Sequence, residues 1–198
     1  SVRFPVANPD FSAFVQRAKD LNPEAIFLFV PAGAQPAAFA KALAERGLDA
    51  SKIKVLGTGE VTAETALKSM GDASLGIISA WNYAPEHKTG SNESFVKDYV
   101  AAYGRTPDFM AAGGYDGMHL IYEALKKTGG KTDGEALINA AKGMKWESPR
   151  GPIAIDPQTR DVVQDIYIRR VEKVDGQPLN VIIDTVKDVK DPVLARMK

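Results

Sequence analysis

The chain has 198 residues, 44% of them hydrophobic, which is enough to build a core and too apolar for a disordered or fibrous class. Lysine plus arginine and aspartate plus glutamate number 25 each, so no basic excess exists to grip a phosphate backbone, and nucleic acid is not an expected partner. Cysteine is absent, which excludes disulfides, zinc-thiolate sites and a cysteine nucleophile, and no apolar run approaches the roughly 20 residues needed to span a bilayer as a helix.

The chain opens at Ser1-Val2-Arg3-Phe4-Pro5 with neither an initiator methionine nor a leader pattern, so either a leader has been removed or the chain is a piece of something longer. Val2 to Val6 reads as a short strand. Asn8-Pro9 reads as a cap with proline at the first helical position, opening an amphipathic helix through Phe11, Phe14, Val15, Ala18 and Leu21. Ala25 to Val30 (AIFLFV) is a continuous apolar run, as expected of a strand buried on both faces of a parallel sheet. A small-residue loop, Pro31 to Gln35, leads to a helix from Pro36 to Arg46 with Gly47 as its C-terminal stop. Ile53 to Leu56 is the next strand and runs into Gly57-Thr58-Gly59-Glu60; a helix from about Thr62 to Met70 and a strand from Leu75 to Ala80 follow. Strands alternating with helices in this way predict right-handed βαβ units and a parallel sheet.

After Ala80 the rhythm changes. A polar connector from Trp81 to Gly90 precedes three helices: Asn92 to Tyr103, Asp108 to Thr128, and one opened by Thr132-Asp133-Gly134-Glu135, which has the form of a capping box. Trp146 reads as a core anchor for the segment before Pro149. Gly151 to Asp156, Gln164 to Lys173 and Val181 to Ile183 then read as strands, with a turn at Asp175-Gly176 and a charged tail from Lys187. A βα block, a helical block and then strands again is the path of a chain that leaves one lobe, visits another and returns.

Catalytic and cofactor signals are absent. Gly57-x-Gly59 is half of a dinucleotide fingerprint, without the third glycine or the acidic residue further on, and there is no Gly-Lys-Ser/Thr phosphate loop. His87 and His119 are unclustered and make neither a metal site nor a dyad; no Gly-x-Ser-x-Gly elbow occurs. No cofactor and no catalysis are expected. What remains are groups at loop positions. Glu60 stands at a strand's carboxyl end, where ligands of open α/β sheets bind; its other reading is a helix-start charge that complements the macrodipole. Trp81 and Tyr83 wall a pocket or pack beneath the connector. Phe109, Met110 and Tyr115 line a ligand or form a core stripe. Ala32 and Gly33 let a ligand approach the backbone amides of the next helix, or are simply a tight loop.

Several segments in this order resemble a type I periplasmic binding protein of the branched-chain amino acid branch: Asn8-Pro9-Asp10-Phe11-Ser12 with its helix and AIFLFV, then GLDASKIKVLGTGE, the Gly71 to Gly76 turn, and Gly114-Tyr115-Asp116-Gly117-Met118. The resemblance covers nearly the whole chain but only the later portion of a family member. It implies a solute-binding component of an ABC uptake transporter, periplasmic, closing two α/β lobes on a small ligand by hinge motion and meeting a membrane permease. It implies that 1–80 is a C-terminal-lobe segment, 81–163 a mainly helical part of the other lobe, 164–185 a return, and 186–198 a tail. By the same resemblance Glu60 meets the ligand's ammonium in amino-acid binders, Met110 with Phe109 is an apolar wall, and Ala32 and Gly33 replace a larger side chain. Gly59, Trp81 and Tyr83 complete the expected ligand set, for a branched-chain or other amino acid or an aromatic carboxylate. A ligand-sensing domain of a receptor or regulator is the alternative, and an enzyme the third reading. With part of a lobe outside the chain, weak ligand binding and self-association are expected of these 198 residues alone.

Overall fold

A computed structural model describes residues 1–193 apart from Val6, Asn8, Pro9 and Ser51. The elements run α1 (Ser12–Asp20), β1 (Ala25–Leu28), α2 (Ala34–Glu45), β2 (Lys54–Thr58), α3 (Glu64–Met70), β3 (Ile78–Trp81), α4 (Gly90–Tyr103), α5 (Phe109–Lys127), α6 (Gly134–Ala141), β4 (Lys145–Ser148), β5 (Gly151–Ile155), β6 (Val162–Val174) and β7 (Gln177–Val189). They form two compact units, one of Ser1–Trp81 with Ile168–Asp184 and the other of Asn82–Tyr167 with Thr185–Lys198.

In the first unit β1, β2 and β3 are parallel neighbours, with Ala25 opposite Lys54 and Leu56 opposite Ile78, and β6 follows β3. This is the parallel βαβ sheet that the alternation of elements predicts. The side chains of Leu28, Val55 and Ile77 meet Phe11, Val15, Phe39, Leu43, Leu67 and Met70 in one buried cluster. Each such aliphatic side chain contributes about 1.5–3 kcal/mol by leaving water. Helix α2 ends as its sequence predicts: Gly47 takes φ +66°, and the Leu48 amide donates back to Leu43 O at 2.9 Å.

Several expectations need correction. Residues 1–5 form no strand; Phe4 instead packs edge-on against Phe11, ring centroids 4.9 Å apart, and the expected Asn8-Pro9 cap lies outside the described residues. Strand β1 is buried on one face only, since Phe27 and Phe29 are 70% and 66% exposed while Leu28 and Val30 lie in the core. The helices of this unit cover a single side of β1, so the alternate residues have nothing to pack on. Leu21, expected on the apolar stripe of α1, is exposed at the helix end.

The second unit has α4, α5 and α6 with an antiparallel meander of β4, β5 and β6, in which Trp146 faces Ile153 and Ile153 faces Gln164. Strand β4 was not expected; its four residues are too few for alternation to show. The cap of α6 shifts by one residue: Asp133, not Thr132, accepts from the Ala136 amide at 2.9 Å, so Thr132-x-x-Glu135 is not a capping box. Strand β7 pairs with β6 and continues to Val189, past the predicted Ile183 and into the expected tail.

Candidate functional site

Strand β2 ends in a 3-10 turn, Gly59–Thr62, whose second residue is Glu60. The two glycines are there for packing. A Cβ on Gly57 would stand 2.7 Å from Val61 Cγ2, and one on Gly59 would enter the Trp81 indole. Trp81 therefore packs closely against the backbone that precedes Glu60. The half fingerprint Gly57-x-Gly59 is thus the imprint of two neighbouring side chains, not of a phosphate.

Beneath the turn is a side chain that sequence reasoning missed. Arg169 of β6 is 1% exposed; its Nη1 lies 3.1 Å from Glu64 Oε1, and its Nη2 donates to Ser79 Oγ at 3.2 Å and Thr62 Oγ1 at 3.4 Å. Thr62 Oγ1 and Ser79 Oγ are themselves 2.7 Å apart, and Asn180 Nδ2 donates to Thr62 O at 2.7 Å and to Glu64 Oε1 at 2.9 Å. The signal was present in QDIYIRRVEK: in a period-2 strand Arg169 shares its face with Tyr167 and Val171, both buried. A charge on the inward parity of a strand needs partners, and these are they.

Glu60 is half-buried. Its Oε2 is shielded from solvent and has no hydrogen-bond partner among the described residues, and the same holds for Thr58 Oγ1 two residues earlier. Buried polar atoms are nearly always paired, so each of these two oxygens can take a further hydrogen-bond partner. An ionised carboxylate only accepts, so any partner of Glu60 Oε2 must be a hydrogen-bond donor.

The remaining expected residues divide between the units. Ala32 is half-buried; Gly33 is exposed, with φ +114° and no atom within 4 Å of a built Cβ, a conformation only glycine takes easily. Both precede α2 in the first unit, with Glu60, Gly59 and Trp81. Tyr83, Phe109 and Met110 belong to the second. Tyr83 is fully buried and donates to Asn92 Oδ1 at 3.1 Å; Phe109 is half-buried; Met110 is 62% exposed at the start of α5. A groove of about 700 Å³ between α4 and α5 is lined by Phe95, Tyr99, Tyr115, Met118 and Tyr122; of the candidate residues it contains Tyr115, and neither Phe109 nor Met110. No cluster that could hold a metal occurs among the described residues, and no helix among them is long and apolar enough to cross a membrane.

Asp116, part of the Gly114 to Met118 motif, is not a ligand group. It is 4% exposed and accepts from Arg150 Nε at 2.6 Å, Ser148 Oγ at 3.0 Å and Trp146 Nε1 at 3.1 Å. That ties α5 to β4 and to the turn that follows it.

A match to the periplasmic binding protein family covers residues 1–177. The chain belongs to the periplasmic binding protein family. Leu/Ile/Val-binding protein homolog 6 of Brucella melitensis is 40% identical over 197 residues, which is 98% of this chain and 50% of that protein. Among solved structures, a solute-binding protein of an ABC transporter from Rhodopseudomonas palustris BisB5, in complex with 3,4-dihydroxybenzoic acid, is 57% identical with a TM-score of 0.92 over 98% of this chain and 53% of its own. Another from Rhodopseudomonas palustris HaA2, in complex with p-hydroxybenzoic acid, is 40% identical with a TM-score of 0.92 over 99% of this chain and 54% of its own. This periplasmic binding protein chain therefore spans about half the length of the relatives it matches.

Proposed function

We propose that the protein is the substrate-binding component of an ABC uptake transporter, that it captures a small ring-hydroxylated aromatic carboxylate outside the cytoplasm, and that it delivers the ligand to a membrane permease without catalysis. The observation that carries the ligand class is Glu60, with a shielded acceptor oxygen at the end of β2 that lacks a donor. A phenolic hydroxyl supplies that donor in the dry setting where a charge-assisted hydrogen bond is strongest. The ligand's own carboxylate would point away from Glu60, since two anions at contact repel. The hydroxybenzoate-bound relatives at 57% and 40% identity support the class. Ala32 and Gly33 leave room for a ligand beside the start of α2, since no atom lies within 4 Å of a Cβ built on Gly33. We take Gly59 and Trp81 as the floor of the site beside Glu60. Tyr83 acts by fixing the connector, its hydroxyl already spent on Asn92. Capture would proceed by hinge closure, the ligand favouring the closed state through its higher affinity for it.

A branched-chain amino acid is the second reading, favoured by the 40% identical Leu/Ile/Val-binding homologue, with Glu60 meeting the ammonium. Calorimetry on the natural full-length protein with 4-hydroxybenzoate, 3,4-dihydroxybenzoate, benzoate and leucine separates the two. The hydroxybenzoates are expected to bind and leucine not. Replacing the acceptor by Glu60→Ala should weaken 4-hydroxybenzoate about 10- to 100-fold, the range of a hydrogen bond to a charged group, and leave benzoate unchanged. Leucine binding that collapses in Glu60→Gln, with no response to either hydroxybenzoate, would decide for the amino acid.

A further inference from the structure

Ligand reading by Glu60 requires that its turn be held, and the turn is short. Of its neighbours, Gly59 O lies 3.5 Å and Thr62 Oγ1 3.4 Å from the same Arg169 Nη2, so one guanidinium reaches the chain on both sides of Glu60. Its second terminal nitrogen, Nη1, reaches Glu64, in the first turn of α3, at 3.1 Å. A buried guanidinium is a costly way to fill a core, because apolar replacement of such a group is often neutral or stabilising. Stability alone therefore does not explain it. What the planar fork does, and an aliphatic chain cannot, is fix several acceptors relative to one another. Glu60, by contrast, is left out of the network, with Oε2 shielded and unpartnered.

We propose that Arg169 is a positioning residue for ligand binding: it clamps the Gly59–Thr62 turn so that Glu60 presents one carboxylate oxygen, free of internal partners, to a donor on the ligand. This rests on the reading of Glu60 as a ligand acceptor. Arg169 touches no ligand itself. Its influence passes through Glu60, so it depends on Glu60 being present and on the ligand carrying a donor.

The test is a double-mutant cycle on the natural full-length protein, with Arg169→Lys and Glu60→Ala singly and together, probed with 4-hydroxybenzoate and benzoate by calorimetry. Lysine keeps the charge and loses the fork. Arg169→Lys should weaken 4-hydroxybenzoate about tenfold, as expected when one charge-assisted hydrogen bond is misplaced, and benzoate less than about twofold. In the Glu60→Ala background it should cost nothing further. Equal weakening of both probes, or the same loss with and without Glu60, overturns the proposal. Hydrogen exchange gives a reading that needs no ligand. In Arg169→Lys the amides of Glu60, Val61 and Thr62 should lose protection while those of β2 keep it; an even loss across the first unit, or none, overturns the positioning role. If the natural protein binds neither probe, the ligand class fails by itself, and exchange still decides on Arg169.

Discussion

Gly59 is glycine because of what lies beside it. An added Cβ would occupy the Trp81 ring, so Gly59→Ala must push the indole away, and overpacking of this kind costs about 1–3 kcal/mol. Urea denaturation should show that loss, with Trp81 emission shifted to the red in the native baseline. His87 responds to pH for a different reason. Burial holds its pKa below the ordinary 6.5, against the smaller opposing pull of Glu147 and Asp165, while its Nε2 sits 3.3 Å from the Tyr167 hydroxyl. Burial likewise pushes the Tyr167 hydroxyl above its ordinary range, and that hydroxyl donates to Arg150 O at 2.6 Å. A histidine with a depressed folded pKa takes up its proton more readily in the unfolded chain. Its contribution is therefore present above about pH 6.5 and lost as the pH falls through the folded value. The melting temperature should drop between pH 7 and pH 5, and His87→Gln should flatten that dependence.

Elements meet through a few buried polar ties, and Asp116 is the clearest. It gathers Trp146, Ser148 and Arg150 onto α5, and removing it leaves a guanidinium only 11% exposed without its carboxylate. Asp116→Ala is expected to cost about 3–5 kcal/mol, the penalty for an uncompensated buried charge. The chain has two tryptophans, Trp81 in the first unit and Trp146 in the second, so Trp146 fluorescence in a Trp81→Phe background reads the loss in the second unit directly. The helices and central strands were legible because apolar period is a local signal; the caps Thr89 of α4 and Asp108 of α5, each accepting an amide three residues on, came from the structure. Strand β4 and the outer face of β1 were not. Four residues carry too little pattern, and an apolar run does not say whether anything covers its second face.

At the scale of the whole molecule, two apolar surfaces lie open among the described residues. One is the Phe27 and Phe29 side of β1; the other is the face of α5 that carries Met118, Ile121 and Tyr122, each at least 45% exposed. Exposed patches of this kind drive association. Sedimentation velocity on the 198-residue polypeptide should show concentration-dependent oligomers, reduced by Phe27→Lys with Phe29→Lys and by Met118→Glu with Tyr122→Glu. A monomer at all concentrations would contradict this.

The sequence by itself determined the α/β class and the parallel βαβ order, since these follow from apolar periodicity, turn chemistry and the succession of elements along the chain, while the family was legible as a resemblance of its motif segments. It also singled out Glu60, through its place at a strand's end. Only the tertiary structure decided that Gly57 and Gly59 answer to Val61 and Trp81, that Asp116 is a structural tie, and that Arg169 of β6 reaches back to a turn more than a hundred positions earlier. The reason is one of range. Period and capping are written within a few residues, whereas a buried charge chooses its partners from wherever the fold brings acceptors together.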